Sequence, residues 1–428
     1  MKFVFPLFNG GIVATALVLA SAVSAQPVES PLSTDASGLT LSQAVAEALA
    51  RNPDLALAAP ALRAATARAE QASLRPAPQL SLELEDFAGT GVYEGADSAQ
   101  ATLALSKILE FGDKRGRRVD AARAGLDLLS IEQQARALDV LAEVSRRFIH
   151  VAADQDHLQL TEKATELAQQ TVAAVEARVK AAKSPEAELH RARITLARAE
   201  VEQEHSEHEL LSSRRKLAAM WGETQLAAGL VSADLYALPE AGDFDALLAR
   251  LRKNPDFTRF ASQARLRDAE IRLAQSRRRG DVELSAGVRR LEARDDHAFI
   301  AGFSLPLFSG RRASAAITEA EALRSLTDAE EHAALVKAEA QLFDLHQELK
   351  HAITETVLLR DKVLPEMDEA LRETKYAYER GRYSYLEWVE AQREFIDVRR
   401  SLIAAAANAH NFRTEIERLT GQPLAANN

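Results

Sequence analysis

Residues 48–55 read ALARNPDL and residues 250–257 read RLRKNPDF, so one Asn-Pro-Asp motif occurs twice, 202 positions apart. At the same offset Leu80, Leu82 and Leu84 face Val282, Leu284 and Ala286. Ser106…Gly112 recurs as Ser304…Gly310 at an offset of 198, and Trp221-Gly222 as Thr420-Gly421 at 199. Four anchors in one order predict a duplicated chain. The repeats are expected at 26–222 and 223–428.

Each half changes its hydrophobic period in the same order. Helix-like segments at about 53–74 and 255–278 give way to strict alternation. Leu80, Leu82 and Leu84 alternate with Ser81, Glu83 and Glu85; Val282, Leu284, Ala286 and Val288 alternate with Glu283, Ser285, Gly287 and Arg289. Turn-rich segments follow, and each strand returns: Ala101, Leu103 and Leu105, then Phe299, Ala301 and Phe303. Period two with one apolar face predicts β-hairpins at 79–109 and 281–307. Behind each hairpin runs a very long helical pattern, expected at 114–182 and 311–381, with return helices at 185–221 and 384–420. Leu141, Val144, Phe148 and Val151 are spaced three, four and three, as are Leu342, Leu345, Leu349 and Ala352. That is coiled-coil spacing. The first long helix would span on the order of 100 Å, and Pro365 is expected to kink the second.

Composition agrees with long, closely packed helices. Hydrophobic residues are 47% of the 428, aromatic residues only 5%, and Ala and Leu dominate the apolar share. The formal net charge of −10 opposes a nucleic-acid footprint, which would be basic. Zero cysteine excludes thiol catalysis, disulfides and a Cys-linked lipid anchor. Lys2, the apolar run 12–19 and the small residues Val23-Ser24-Ala25 predict a cleavable signal peptide over 1–25. No later stretch has 18 or more apolar residues, so strands would have to make any bilayer crossing.

Two hairpins give four strands, and the smallest membrane barrels have about eight. Open edges are forbidden in lipid. Either the hairpins decorate a soluble protein, or several chains pool their strands; three chains would give twelve.

Three stretches carry a family resemblance: LTLSQAVAEALARNPDL (39–55), the twice-used Ser…Gly hairpin exit, and VLPEMDEALRETKYAYERGRYSYLEWVEAQREF (363–395). The mature chain resembles the TolC-like outer-membrane efflux proteins of Gram-negative bacteria. LELEDFAGTG (82–91) with ATLALSKILEFGDKR (101–115) is most similar to the branch paired with cobalt–zinc–cadmium exporters. The resemblance implies a mainly α fold with β. A homotrimer would form a 12-stranded outer-membrane β-barrel, four strands per chain, continued by a long α-helical periplasmic barrel. It implies an exit duct for divalent heavy-metal cations, working with a periplasmic adaptor and a proton-driven inner-membrane pump of the resistance-nodulation-division (RND) type, and no enzyme. Two other readings stay open: the duct of a drug or protein exporter, and a soluble periplasmic coiled-coil adaptor or scaffold.

Enzyme motifs are missing: there is no GxSxG, HExxH or GxxxxGK. His205 and His208 have metal-ligand spacing, but on a helix this charged solvated side chains are the simpler reading, so no metal or cofactor is assigned. Glu83, Glu85, Glu283 and Arg289 lie on polar strand faces. In a barrel these line the lumen; in a soluble sheet they are a wet face. The helix-turn-helix tips are expected at Ala182-Lys183-Ser184-Pro185 and Gly381-Arg382-Tyr383-Ser384, with Ser184 and Ser384 capping the returning helices. The resemblance makes these tips the adaptor-contacting end. It also implies a periplasmic gate of Glu387 and Glu390, with Tyr378 tying the tips closed and Glu188 as the matching acid in the first half. The basic latch position is filled by Tyr383, with Arg382 adjacent.

Overall fold

The computed structural model describes residues 38–226 and 229–421; the expected signal peptide lies outside them. Helix α1 (Leu41–Arg51) opens on a capping box, in which the Thr40 side chain accepts from the Gln43 N–H and the Gln43 side chain accepts from the Thr40 N–H. At its end Asn52 restarts the chain as α2 (Pro53–Ala56), followed by α3 (Ala58–Ser73). Its carboxamide oxygen accepts from Asp54 N–H at 2.9 Å, Pro53 fills the first turn, and Nδ2 donates to the Met220 carbonyl at 2.8 Å.

The twin motif does the same at α7 (Pro255–Ser276). Asn254 accepts from Asp256 N–H at 2.8 Å and donates to the carbonyls of Arg418 and Leu419. Each motif therefore ties a helix start to the end of a return helix. Gly421 ends its helix at φ +66°, and a Cβ there would lie 3.3 Å from Asn254 Cα. The paired Asn and Gly anchors are two sides of one joint.

Strands β1 (Gln79–Glu85), β2 (Gln100–Leu109), β3 (Val282–Leu291) and β4 (Asp296–Ser304) form one antiparallel sheet in chain order. All four join helices at the same end. β2 passes through Asp113, at φ +58°, into α4 (Lys114–Lys180), and β4 passes through Phe308, at φ +61°, into α8 (Ser309–Leu358). α4 has 67 residues, about 100 Å at 1.5 Å per residue.

The return helices are α5 (Glu186–Ala218) and α10 (Tyr385–Thr420); α6 (Phe244–Leu251) and α9 (Leu364–Glu379) complete the set. Side by side near the sheet run α3, α4, α7 and α8; towards the tips α5, α4, α10 and α9 take over. α4 and α10 are thus the shared inner members, which is where alanine is spent. Ala405, Ala406, Ala407 and Ala409 of α10 are buried, and Ala406 and Ala407 pack with Val144, Phe148 and Val151 of α4. At Pro365 the second long helix is interrupted rather than uniformly α-helical. Residues Leu359–Val363 form a π turn between α8 and α9, where Pro365 lacks the N–H that would meet the Asp361 carbonyl. Among the described residues, no helix is long and apolar enough to cross a membrane.

Candidate functional site: the sheet and the helical tips

The register sorts every strand residue onto a face. One face carries the rows Leu80–Leu105–Ala286–Ala301 and Leu82–Leu103–Val288–Phe299. These side chains are open in the single chain, with Phe299 94% exposed and Phe303 79%. Glu83, Glu85, Glu283 and Arg289 all fall on the other face. Arg289 donates to Thr102 Oγ1 at 2.9 Å, Gln100 Oε1 at 3.2 Å and Glu85 Oε2 at 3.2 Å. Glu83 shares the cross-strand row of Thr102 and Arg289, while Glu283 lies towards the helical end. Among the described residues, the outer edges of β1 and β4 have no partner strand.

At the tips the halves solve one turn with different residues. Gly381 takes φ +74°, the natural choice for a left-handed helix stop, whereas Ala182 takes φ +54° despite its Cβ. Both turns close alike: Lys183 N–H donates to the Arg178 carbonyl at 2.8 Å, and Arg382 N–H to the Ala377 carbonyl at 2.9 Å. Ser384 caps α10 as expected and does so within a capping box, so the Glu387 carboxylate accepts from the Ser384 N–H at 2.6 Å. That hydrogen bond holds the Glu387 carboxyl below the usual carboxylate range. Ser184 does not cap α5. Pro185 occupies the cap position, and the Ser184 hydroxyl accepts from Arg178 Nε at 3.1 Å.

Tyr378 is buried in a small tip core with Val175, Ala192, Tyr385 and Trp388, stacked on Trp388 at 4.7 Å. Burial first, and the nearby Glu188 charge further on, push its hydroxyl pKa up. The cation of this cluster is Arg178, which the sequence reading missed. Its guanidinium lies 4.8 Å from the Tyr378 ring and donates to the Tyr378 carbonyl at 2.8 Å. The signal was faint: a lone Arg four residues before the turn residue Ala182. Arg382, Lys183, Pro185, Gly381 and Glu390 are exposed. The structure therefore brings Tyr378 and Glu188 together and leaves Arg382 outside.

His205 Nε2 lies 3.3 Å from the Glu209 carboxylate on an exposed stretch of α5. No group of three or more potential metal ligands occurs among the described residues.

The family model for outer membrane efflux proteins matches residues 44–223 and again 248–422, one match to each half. The cobalt-zinc-cadmium resistance protein CzcC of Cupriavidus metallidurans is 25% identical over 388 residues, covering 90% of each chain. Among solved structures, the outer-membrane channel OprN superposes with a TM-score of 0.74 at 19% identity, over 90% of both chains. The CmeC outer membrane channel of Campylobacter jejuni gives 0.72 at 15% identity, over 96% of this chain and 94% of that one. The sheet, the paired long helices and a family match to both halves make this chain a member of the outer membrane efflux protein family, a TolC-like channel of the Gram-negative outer membrane that reaches into the periplasm.

Proposed function

We propose that three copies of this chain form the exit duct of a proton-driven tripartite system that exports divalent heavy-metal cations. The observation that carries the reading is the open-edged sheet with one apolar face. Strands β2, β3 and β4, 9 to 10 residues long, match the length of about 9–11 for an oblique crossing, and β1 is shorter at 7. Edges of β1 and β4 cannot stay unpaired in lipid, and β4 of one chain is positioned to take β1 of the next. The polar face, with Glu83, Glu85, Glu283 and Arg289, then lines the lumen. The exposed tip residues Lys183, Pro185, Gly381 and Arg382, with Ser184 and Ser384 at the turns, form the surface for a periplasmic adaptor, and an inner-membrane RND pump supplies energy. Glu387 and Glu390 ring the entrance.

The choice of metal cations rests on likeness to proteins named for cobalt, zinc, cadmium and nickel resistance. Deletion of the gene should lower tolerance of zinc, cobalt or cadmium salts and leave drug tolerance unchanged. Drug sensitivity with unchanged metal tolerance would point instead to a drug exporter.

A further inference from the structure

The sheet is electrically lopsided. At its loop end, residues 85–100 and 289–297 together hold seven acids against three bases. At the helical end the four strand–helix junctions (residues 74–79, 107–120, 276–283 and 305–312) hold eleven bases against five acids, in a chain whose net charge is −10. Three of those bases are neutralised locally: Lys114 by Asp281, Arg117 by Asp113 and Asp120, Arg118 by Glu110. The rest make no ion pair among the described residues, and they are exposed: Arg277-Arg278-Arg279 after α7, Arg311-Arg312 at the start of α8, Arg115, Arg75 and Lys107.

Helix stability accounts for only part of this. Cations after α7 suit the negative end of its dipole. Arg115, Arg311 and Arg312 sit at the opposite, positive ends of α4 and α8, where the dipole disfavours them, and neither first turn contains an acid. Two helices thus carry charge of the wrong sign at the same height. Beside them stand exposed apolar groups, Phe111, Leu307 and Phe308, the last 81% exposed. Lys107 continues the outward row of Leu103 and Leu105 and closes it with a charge. Apolar strand, aromatic ring, then unpaired cations is the order of a membrane–water boundary on its phosphate side.

We propose that this collar binds the phosphate groups of anionic phospholipid in the periplasmic leaflet, fixing the depth of the barrel. The inference rests on the membrane-duct reading above. Its test uses the full-length protein purified in detergent and offered equal amounts of phosphatidylglycerol and phosphatidylethanolamine, with bound lipid counted by native mass spectrometry. The wild type should retain phosphatidylglycerol with a preference of about tenfold, weakening as salt is raised. Replacing Arg277, Arg278 and Arg279 together with Gln should remove most of that preference. The pair Arg311→Gln and Arg312→Gln, away from the α7 end, provides an independent variant should the first fail to fold. A control with Arg63, Arg193 and Arg198 changed to Gln should keep it. Equal retention by a folded collar variant, or no preference in the wild type, overturns the proposal. So does displacement of the lipid by millimolar inorganic phosphate, which would mark a free-anion site. Failure of the duct reading is seen separately, as a wild-type protein that does not insert into vesicles.

Discussion

Ala182 and Gly381 occupy equivalent turns, and only one of them is glycine. The left-handed conformation costs a residue with a Cβ about 1–2 kcal/mol, so Ala182→Gly should steady the first tip by about 1 kcal/mol, less the entropy the new glycine adds to the unfolded chain. Slower amide exchange at Ala181–Ser184 would record it; faster exchange would contradict it. Glu387 has two claims on it, the capping box and the proposed gate. Alanine would remove both, whereas Gln keeps the cap and deletes the charge. The pair Glu387→Gln and Glu390→Gln should therefore leave folding intact while lowering cation selectivity and relieving block by added divalent ions in planar bilayers. Unchanged selectivity and block would remove these two residues from the gate. Arg178 shows why the surroundings of Tyr378 were only partly readable in the sequence. Tyr378 and Glu188 were singled out by position relative to the turn, but a cation that reaches across from α4 to the Tyr378 carbonyl of α9 leaves only a faint local spacing to read.

The sheet's elements were legible because one apolar face imposes a period of two, and a one-residue slip would turn every Leu to the wrong side. The long helices were legible from their three–four spacing. Harder to read were the π turn at 359–363, which arises from how the backbone absorbs Pro365 rather than from any periodicity, and the capping failure of Ser184, where Pro185 takes the cap position and the hydroxyl meets Arg178 instead. Register also refines what a substitution should do. Leu103 lies in one of the two wholly apolar outward rows, whereas Phe303, level with Leu284 and Lys107, lies two rows nearer the helices. Arginine at the bilayer midplane costs about 2–4 kcal/mol and less near the interface. Leu103→Arg should thus reduce the heat-modifiable outer-membrane form more than Phe303→Arg; equal losses would argue against the assigned depth. On the periplasmic side, His410 of α10 is buried, with Nε2 donating to the Leu235 carbonyl at 3.0 Å, and burial lowers its pKa. The unfolded ring takes up a proton near pH 6.5 while the folded ring resists until lower pH. Stability is therefore complete above that value and falls as the pH drops below it. His410→Gln keeps a donor and should flatten this acid-side decline in Tm; an undiminished decline would place its cause elsewhere.

For the whole molecule, order is preserved from one end to the other. Strands run β1-β2-β3-β4, and helices sit in matching succession beneath them, so each chain is a strip whose two margins, β1 and β4, have no partner strand among the described residues. A strip of this kind is stable in a bilayer only when its margins meet, and four strands are too few to meet each other. The lack of cysteine makes the margins directly testable. Ser81→Cys on β1 can be combined in turn with Ala298→Cys, Ile300→Cys and Gly302→Cys on β4, all on the face that carries Glu83 and Arg289. Within one chain these pairs are separated by two intervening strands, about 14 Å at 4.8 Å per strand, beyond the roughly 7 Å limit for a disulfide. Oxidation of outer membranes followed by denaturing electrophoresis should give covalently linked dimers and trimers for at least one pair. Disulfides confined to single chains, or none at any of the three positions, would contradict a barrel pooled from three copies.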